Sequence, residues 1–284
     1  MLGNGHTVFG TTETFFALEQ ESRCLGYANA NLTRADPPTE VMRCVEFGQA
    51  ITGRDPRWLS IDSKVVDYPE LSRINARGLH FITIRRRGAA ILRRLEALPR
   101  SAWTGAVLDT ARRCHQPIRS IDEPVKLRGD EGPIRQIAVD GLGRQKRTLF
   151  LTNHPQETAR NLILRDAGRN RVEDGLGISV HFFHLDCLAS EVRLNVDLDA
   201  VLTVLANGGY RWLGKRLRGY EKAAPKPLYR PFVETAGTVK VEGEEITVRF
   251  DRRSHNPILR EAALDREAAP IPWLGNRRIR FAFD

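Results

Sequence analysis

The sequence predicts an α/β fold in which helices flank a mixed β-sheet, and three observations support this prediction. Residues 1–99 alternate short apolar, β-branched runs with helix-like segments, as buried strands and their covering helices do. Residues 100–152 hold three strand-like runs separated by Gly, Asp and Pro turns, which is typical of a small antiparallel meander. Residues 153–284 return to helical periodicity and contain a hairpin pattern. We therefore expect two parts of one core, 1–99 and 153–284, with a β insertion between them.

The first part of the core carries clear element signals. "TTETFFALEQ" and "CLGYANANL" predict two adjacent strands, and "HFITIRRRG" predicts another from its β-branched and aromatic content. In "PTEVMRCVEFGQAITG", the apolar residues Val41, Val45, Phe47 and Ile51 recur at helical spacing, and Gly53 ends the helix. "ELSRINARG" predicts a second, shorter helix. "RWLSIDSKV" is a short apolar run that carries one acidic residue, Asp62.

The second part of the core is dominated by helical patterns. "HPQETARNLILRDAGRNRVEDGLG" turns helical after its first residues, and "ASEVRLNVDLDAVLTVLANGGYRWLGKRL" predicts a long apolar helix buried against the sheet. "TVKVEGEEITVRF" predicts a hairpin and "RRIRFAFD" a final basic strand. The two "GLG" stretches, 141–143 and 175–177, lack the rest of a nucleotide-binding fingerprint and are predicted as turns.

Composition points to a globular cytoplasmic protein with a polyanionic partner. No run approaches the roughly 18 apolar residues of a membrane span, no secretory signal is recognisable, and four dispersed cysteines argue against a disulfide framework or cysteine-based zinc module. The net charge is +9, the pI is about 9.8, and 37 of the 44 basic residues are arginines. Arginine suits phosphate recognition, so DNA is the favoured partner, although codon usage in a GC-rich genome also raises arginine content.

Two acidic residues are candidates for a metal site. Asp62 directly follows a buried strand, where ligands gather in α/β sheets, or alternatively it caps the next helix. Glu173 is flanked by Arg169 and Arg171. It either belongs to a solvated helix face, paired with Arg169 four residues earlier, or is presented to a metal with arginines nearby to hold phosphates.

Two further clusters have competing interpretations. Arg85, Arg86 and Arg87 at a strand end are either DNA-backbone contacts or an ordinary solvated terminus. "HFFHLDC" places two histidines near each other, which raises the possibility of zinc and of an unrelated metal-dependent hydrolase. No second ligand pair has zinc-like spacing, and the two phenylalanines favour a packed segment.

The order of these motifs forms a larger pattern. A strand carrying His6 is followed by "IDSK", "FITIRRRG", a β insertion and then "RVEDGLG", together with "ESRCLGYANANLT", "LTNH" and "PWLGNRRIRF". The chain resembles the DDE transposases of bacterial insertion sequences, in the group with a β insertion before the last catalytic helix. The resemblance runs over nearly the whole chain.

This resemblance implies a ribonuclease H-like fold and a metal-dependent cleavage and transfer of DNA strands. Three carboxylates would hold two Mg²⁺ or Mn²⁺ ions, with Asp62 as the second and Glu173 as the third. Arg169 matches the arginine four residues before the glutamate in the group's Y-x-x-R-x-x-x-E signature and would contact phosphate. Transposon ends, target DNA and other transposase subunits are the implied partners.

Departures from the family pattern predict impaired catalysis. The first carboxylate position holds Asn4, and an amide keeps one acceptor oxygen but carries no negative charge. The signature tyrosine position holds Asp166 and the lysine position Val180. The pattern also leads us to expect a chain that starts at the first catalytic strand. The sequence therefore predicts a truncated or degenerate transposase catalytic domain or, alternatively, a non-catalytic DNA-binding remnant.

Overall fold

Three β-sheets and eight α-helices make up the part of the chain that the computed structural model describes. The described residues are 5–7, 10–33, 37–110, 113–127, 132–143, 147–168, 170–187, 190, 192–266 and 269–283. The strands are β1 (Gly5–Thr7), β2 (Gly10–Leu18), β3 (Leu25–Leu32), β4 (Trp58–Ile61), β5 (His80–Ile84), β6 (Thr104–Thr110), β7 (Arg113–Val125), β8 (Ile134–Asp140), β9 (Thr148–Thr152), β10 (Gly237–Glu242), β11 (Glu245–Phe250), β12 (Ala269–Ile271) and β13 (Arg277–Phe283). The helices are α1 (Pro37–Thr52), α2 (Tyr68–Ala76), α3 (Ala89–Glu96), α4 (Ala159–Ala167), α5 (Asn170–Phe183), α6 (Arg193–Arg216), α7 (Pro225–Leu228) and α8 (Asn256–Glu261).

A six-stranded mixed sheet forms the centre, in the order β4-β5-β9-β8-β7-β6. Strands β4 and β5 are parallel, and every other neighbouring pair in this sheet is antiparallel. Because β9 pairs with β5, the predicted meander extends the sheet from the parallel pair outward. The predicted α/β class with a mixed sheet flanked by helices is confirmed.

A separate three-stranded antiparallel sheet, β1-β2-β3, contains the two adjacent strands predicted near the start of the chain. Phe15 of β2 and Leu32 of β3 are buried in the same apolar cluster as Ile61 of β4 and Val45 of α1. The three-stranded sheet and the parallel pair are therefore covered by one helical layer.

The six-stranded sheet is covered on both faces. Consecutive residues of β5 point to opposite faces: Phe81 packs with Ile74 of α2, and Ile82 packs with Leu162 of α4. All four side chains are fully buried. The predicted helices α1 and α2 thus lie on one face and α4 lies on the other.

Helix α6 is as long as the sequence predicts, but it is buried along only one side. It packs along β3, where Asp197 accepts a hydrogen bond from the Ala30 amide at 2.7 Å. Its opposite side carries exposed leucines, including Leu198 and Leu205. The predicted burial against a sheet is therefore confirmed for the side that packs on β3, whereas the opposite side is exposed. None of the helices among the described ranges has the length and apolar character needed to cross a membrane.

The chain ends in a four-stranded sheet in the order β10-β11-β13-β12. The predicted hairpin is the antiparallel β10–β11 pair, and the predicted basic strand is β13, which runs parallel to β11. This sheet has its own buried cluster, which joins Phe283 to Leu217 after α6, Phe232 and Leu259.

The two "GLG" stretches differ in structure. Residues 141–143 form the predicted turn, and Gly141 has a φ of 96°. Residues 175–177 lie inside α5, so the prediction of a turn there is wrong. A Cβ atom on Gly175 would lie 3.0 Å from Leu18 Cδ1, which shows that this glycine lets α5 approach β2 closely.

Candidate functional site

The carboxyl ends of β4 and β5 bring Asp62 and the three consecutive arginines to one edge of the sheet. Asp62 follows β4, Arg85 follows β5, and the two strands are parallel. The half-buried Asp62 accepts a hydrogen bond from the Lys64 amide at 3.0 Å, and its carbonyl accepts one from the Val65 amide at 3.1 Å. Asp62 therefore shapes the turn that leaves the strand while remaining partly accessible at the edge.

Among the three arginines, Arg85 has a structural partner. Its guanidinium donates a hydrogen bond to Gln136, a fully buried residue that in turn donates to Glu123 at 2.8 Å. Arg94 of α3 pairs with the same carboxylate, and its hydrogen bond holds the pKa of Glu123 below the ordinary value. Arg85 thus ties β5 to the rest of the sheet.

Arg86 and Arg87 are exposed in the loop between β5 and α3. They lie on the same edge as Asp62 and the exposed Lys64. Exposed arginines at a strand end can reach a phosphate group without breaking a packing contact, and their fixed fork of donors matches its oxygens.

Glu173 and Arg171 lie on the first turn of α5. The Arg171 guanidinium donates to the Gln20 carbonyl at 2.8 Å, which fastens α5 to the turn between β2 and β3. Glu173 is exposed, and so is Asp174 beside it. Arg169 lies outside the described residues.

Contacts of α1 and α4 define the surroundings of β4. Tyr27 near the start of β3 packs on Phe47 at 5.3 Å, close to the end of α1, which leads into β4. Arg165 in the last turn of α4 lies over the ring of Trp58, the first residue of β4, at 4.2 Å. The end of α4 therefore packs beside the start of β4, whereas Asp62 follows its end.

The two predicted metal ligands are placed by different elements: Asp62 follows β4, and Glu173 lies on the first turn of α5. Asn4 lies outside the described residues, and His6 lies in β1. Within the described ranges, which do not include position 4, no three His, Cys, Asp or Glu side chains form a group that could hold a metal.

The segment that raised the possibility of zinc is packed through its aromatic residues. Phe182 lies 5.5 Å from Tyr210 and 5.8 Å from Tyr229, as ring-centroid distances. His181 and His184 are exposed on either side of the two phenylalanines. The expectation of a packed segment is confirmed.

Three aromatic rings and the guanidinium group of Arg165 form a cluster at the start of β4, and the sequence did not predict it. His154 stacks on Trp58 at 5.0 Å and lies 4.4 Å from His80, and Arg165 of α4 lies over the Trp58 ring. Burial, followed by the charge of His80, lowers the pKa of His154 below its ordinary value. This cluster anchors α4 to the sheet, and only the short "LTNH" motif marked part of it in the sequence.

No protein-family model matches the chain. No curated protein is significantly similar to it.

Proposed function

We propose that this chain is a DNA-binding core of the DDE transposase type whose strand-cleavage activity is impaired or lost. The observation that carries the proposal is the edge at the ends of β4 and β5, where Arg86, Arg87 and Lys64 are exposed beside Asp62. The net charge of +9 supports it, because each phosphate neutralised by a basic side chain releases counterions. Recognition would be through the DNA backbone, with little dependence on base sequence.

We further propose that the fold is ribonuclease H-like, and the arrangement of the sheets supports this. In that fold the first strand of an antiparallel meander pairs in parallel with the fourth strand. Here β1 and β4 are outer strands of their respective sheets among the described residues, and one apolar cluster spans both sheets. Parallel pairing of β1 with β4 would join them into one continuous sheet.

The residues present fit a two-metal centre poorly. Mg²⁺ and Mn²⁺ prefer carboxylate oxygens, and the first of the three expected positions holds the neutral amide of Asn4. For this reason the proposal favours DNA binding over catalysis, and no catalytic step is assigned to the natural chain.

The binding test compares two matched pairs of exposed arginines. The affinity of the chain for a fluorescent DNA duplex would be measured by anisotropy at several salt concentrations. Arg86→Ala combined with Arg87→Ala is expected to weaken binding and to reduce the slope of log affinity against log salt by about 2. Arg277→Ala combined with Arg278→Ala, which removes two exposed arginines from β13, is the control for lost charge alone. Equal effects of both double variants, or no DNA binding at all, would overturn the proposed edge.

The catalytic test uses plasmid nicking in Mn²⁺ by the natural chain, Asn4→Asp, and Asn4→Asp combined with Asp62→Ala. We expect no nicking by the natural chain. Nicking that appears with Asn4→Asp and disappears in the double variant would show that a transposase centre persists and that Asp62 belongs to it. Nicking by the natural chain would contradict the impairment.

A further inference from the structure

Helix α6 carries most of its bulky apolar residues on the side that faces away from the protein. Its buried residues are small or polar, namely Ala200, Thr203, Asn207, Arg211 and Gly214, and Val196 and Val204 pack partly buried beside them. The outward side carries Leu194, Leu198, Val201, Leu202, Leu205 and Trp212, whose side chains are between 39% and 69% exposed. A helix on the surface of a globular protein normally shows the reverse arrangement.

The spacing of the outward residues is that of a helix–helix contact. Leu194, Leu198, Val201, Leu205 and Trp212 follow alternating steps of four and three when Gly208 is included. This 3.5-residue average is the repeat with which two helices pack side chains into each other. The stripe runs for about 27 Å at 1.5 Å per residue, roughly three-quarters of the length of α6.

We propose that this stripe is an interface between two copies of the chain, with the two α6 helices antiparallel. The pattern is self-complementary about a point near Thr203. In an antiparallel pair, Leu198 of one copy would face Gly208 of the other, and Val201 would face Leu205. Leu194 of each copy would likewise face Trp212 of the other. Gly208 leaves space for the leucine that faces it, so large and small residues alternate across the contact.

Charge favours the antiparallel orientation. Lys215 and Arg216 make the end of α6 basic, whereas Arg193 and Asp199 balance near its start and Asp197 is bound to the Ala30 amide of β3. Antiparallel packing keeps the two basic ends apart, and it also opposes the two helix dipoles favourably. Parallel packing would bring like charges together.

The exposed area is compatible with a dimer. Six large apolar side chains give a patch on the order of 500 Å², at the upper end of what monomeric proteins expose. Each partner in a standard interface buries roughly 800 Å². A groove of about 380 Å³ next to the stripe, lined by Phe183, Leu185, Leu202 and Ala206 among others, offers further area. The proposal is independent of DNA binding.

The first experiment measures the mass of the full chain in solution by light scattering over a range of concentrations. We expect twice the 32.1 kDa of the chain. Leu198→Glu combined with Leu205→Glu is expected to give the monomer mass with an unchanged thermal melt of the fold, since both side chains face outward. Val239→Glu combined with Val241→Glu, at equally exposed positions of β10, is the matched control and is expected to remain dimeric. A monomer at every concentration, or a dimer that survives the α6 substitutions, would overturn the interface.

The second experiment tests the orientation by disulfide cross-linking in a Cys187→Ser background, which removes an exposed native thiol. Leu202 lies close to the proposed twofold axis, so Leu202→Cys is expected to cross-link two copies rapidly. Leu194→Cys is expected to cross-link poorly with itself, because two such residues would lie at opposite ends of the stripe. Cross-linking of both variants would instead show parallel helices and contradict the antiparallel proposal.

Discussion

At the residue scale, Asn153 shows how one side chain fixes the junction of two strands. Its Oδ1 accepts from the Phe81 amide at 3.0 Å, and its Nδ2 donates to the Leu79 carbonyl at 2.7 Å and to Asn75 Oδ1 at 2.9 Å. The residue is buried, so these groups would lack water if the side chain were removed. It therefore holds the start of β5 against the end of β9.

We expect Asn153→Ala to lower the free energy of unfolding by about 2–4 kcal/mol, because two main-chain groups would lose a partner inside the protein. Urea denaturation would measure the change. Thr158→Ala, which removes the hydroxyl that caps α4, is a suitable comparison with an expected loss of about 1 kcal/mol. An Asn153 variant as stable as the natural chain would show that the junction is held by other contacts.

His154 makes stability depend on pH. Its folded-state pKa lies below the ordinary value of 6.5, first because of burial and then because of His80. The unfolded chain therefore binds this proton more readily than the folded one, so the contribution is fully present above pH 6.5 and is lost as the pH falls below it.

We expect His154→Asn to reduce the loss of stability between pH 6.5 and 5. Asparagine offers an acceptor in place of Nδ1, which receives the Glu157 amide at 2.9 Å, but it does not titrate. Thermal melts at both pH values would measure the difference for each protein. An identical pH dependence in the variant would assign the effect to other groups.

At the scale of the elements, the sequence predicts those helices and turns that depend on interactions between neighbouring residues. Periodicity and glycine signals identify α1 and α2, and Asp67 caps α2 by accepting the Glu70 amide at 2.9 Å. The "GLG" inside α5 was wrongly predicted as a turn because its Gly175 is selected by close packing on β2, which no local pattern records.

The candidate site likewise combines one feature that the sequence predicts with others that it does not predict. Parallel strand ends suffice to predict that Asp62 shares an edge with Arg86 and Arg87. Arg85 pairs with Gln136, and Arg171, two residues before Glu173, donates to the Gln20 carbonyl, so both contacts join residues far apart in sequence. These contacts arise only when the sheets and helices have assembled.

Two glycines with positive φ make a matched test of turn geometry. Gly53 has a φ of 71° after α1 and nothing within 4 Å of an added Cβ, whereas a Cβ on Gly141 would lie 2.7 Å from the Pro117 carbonyl oxygen. We expect Gly53→Ala to cost about 1 kcal/mol from its backbone conformation alone. Gly141→Ala should cost clearly more, since main-chain atoms must move. If chemical denaturation gave equal losses in the free energy of unfolding for the two variants, the main chain around Pro117 and Gly141 would be able to move at little cost.

At the scale of the whole molecule, the apolar residues form several clusters of different character. Helix α1, the β2–β3 pair and the parallel strands share one cluster, whereas the C-terminal sheet depends on its own. Every residue of β10 is exposed, while every residue of β9 is buried. Backbone hydrogen bonds open more readily where few apolar contacts cover them, so the C-terminal sheet should be the less stable unit.

Phe232→Ala tests whether these units are energetically separate. The buried Phe232 packs against Tyr220 at 4.9 Å and belongs to the C-terminal cluster. Its removal is expected to speed hydrogen exchange in β10, β11 and β13 by at least about tenfold, as a core Phe→Ala change costs roughly 3–5 kcal/mol. Exchange in β5 and β9 should change little, and mass spectrometry of peptides from each region would measure both.

The reciprocal variant Leu71→Ala, in the cluster shared by α1 and α2, should accelerate exchange in β5. If either variant accelerated exchange equally throughout, the chain would unfold as one cooperative unit, and the separate clusters would have no separate stability.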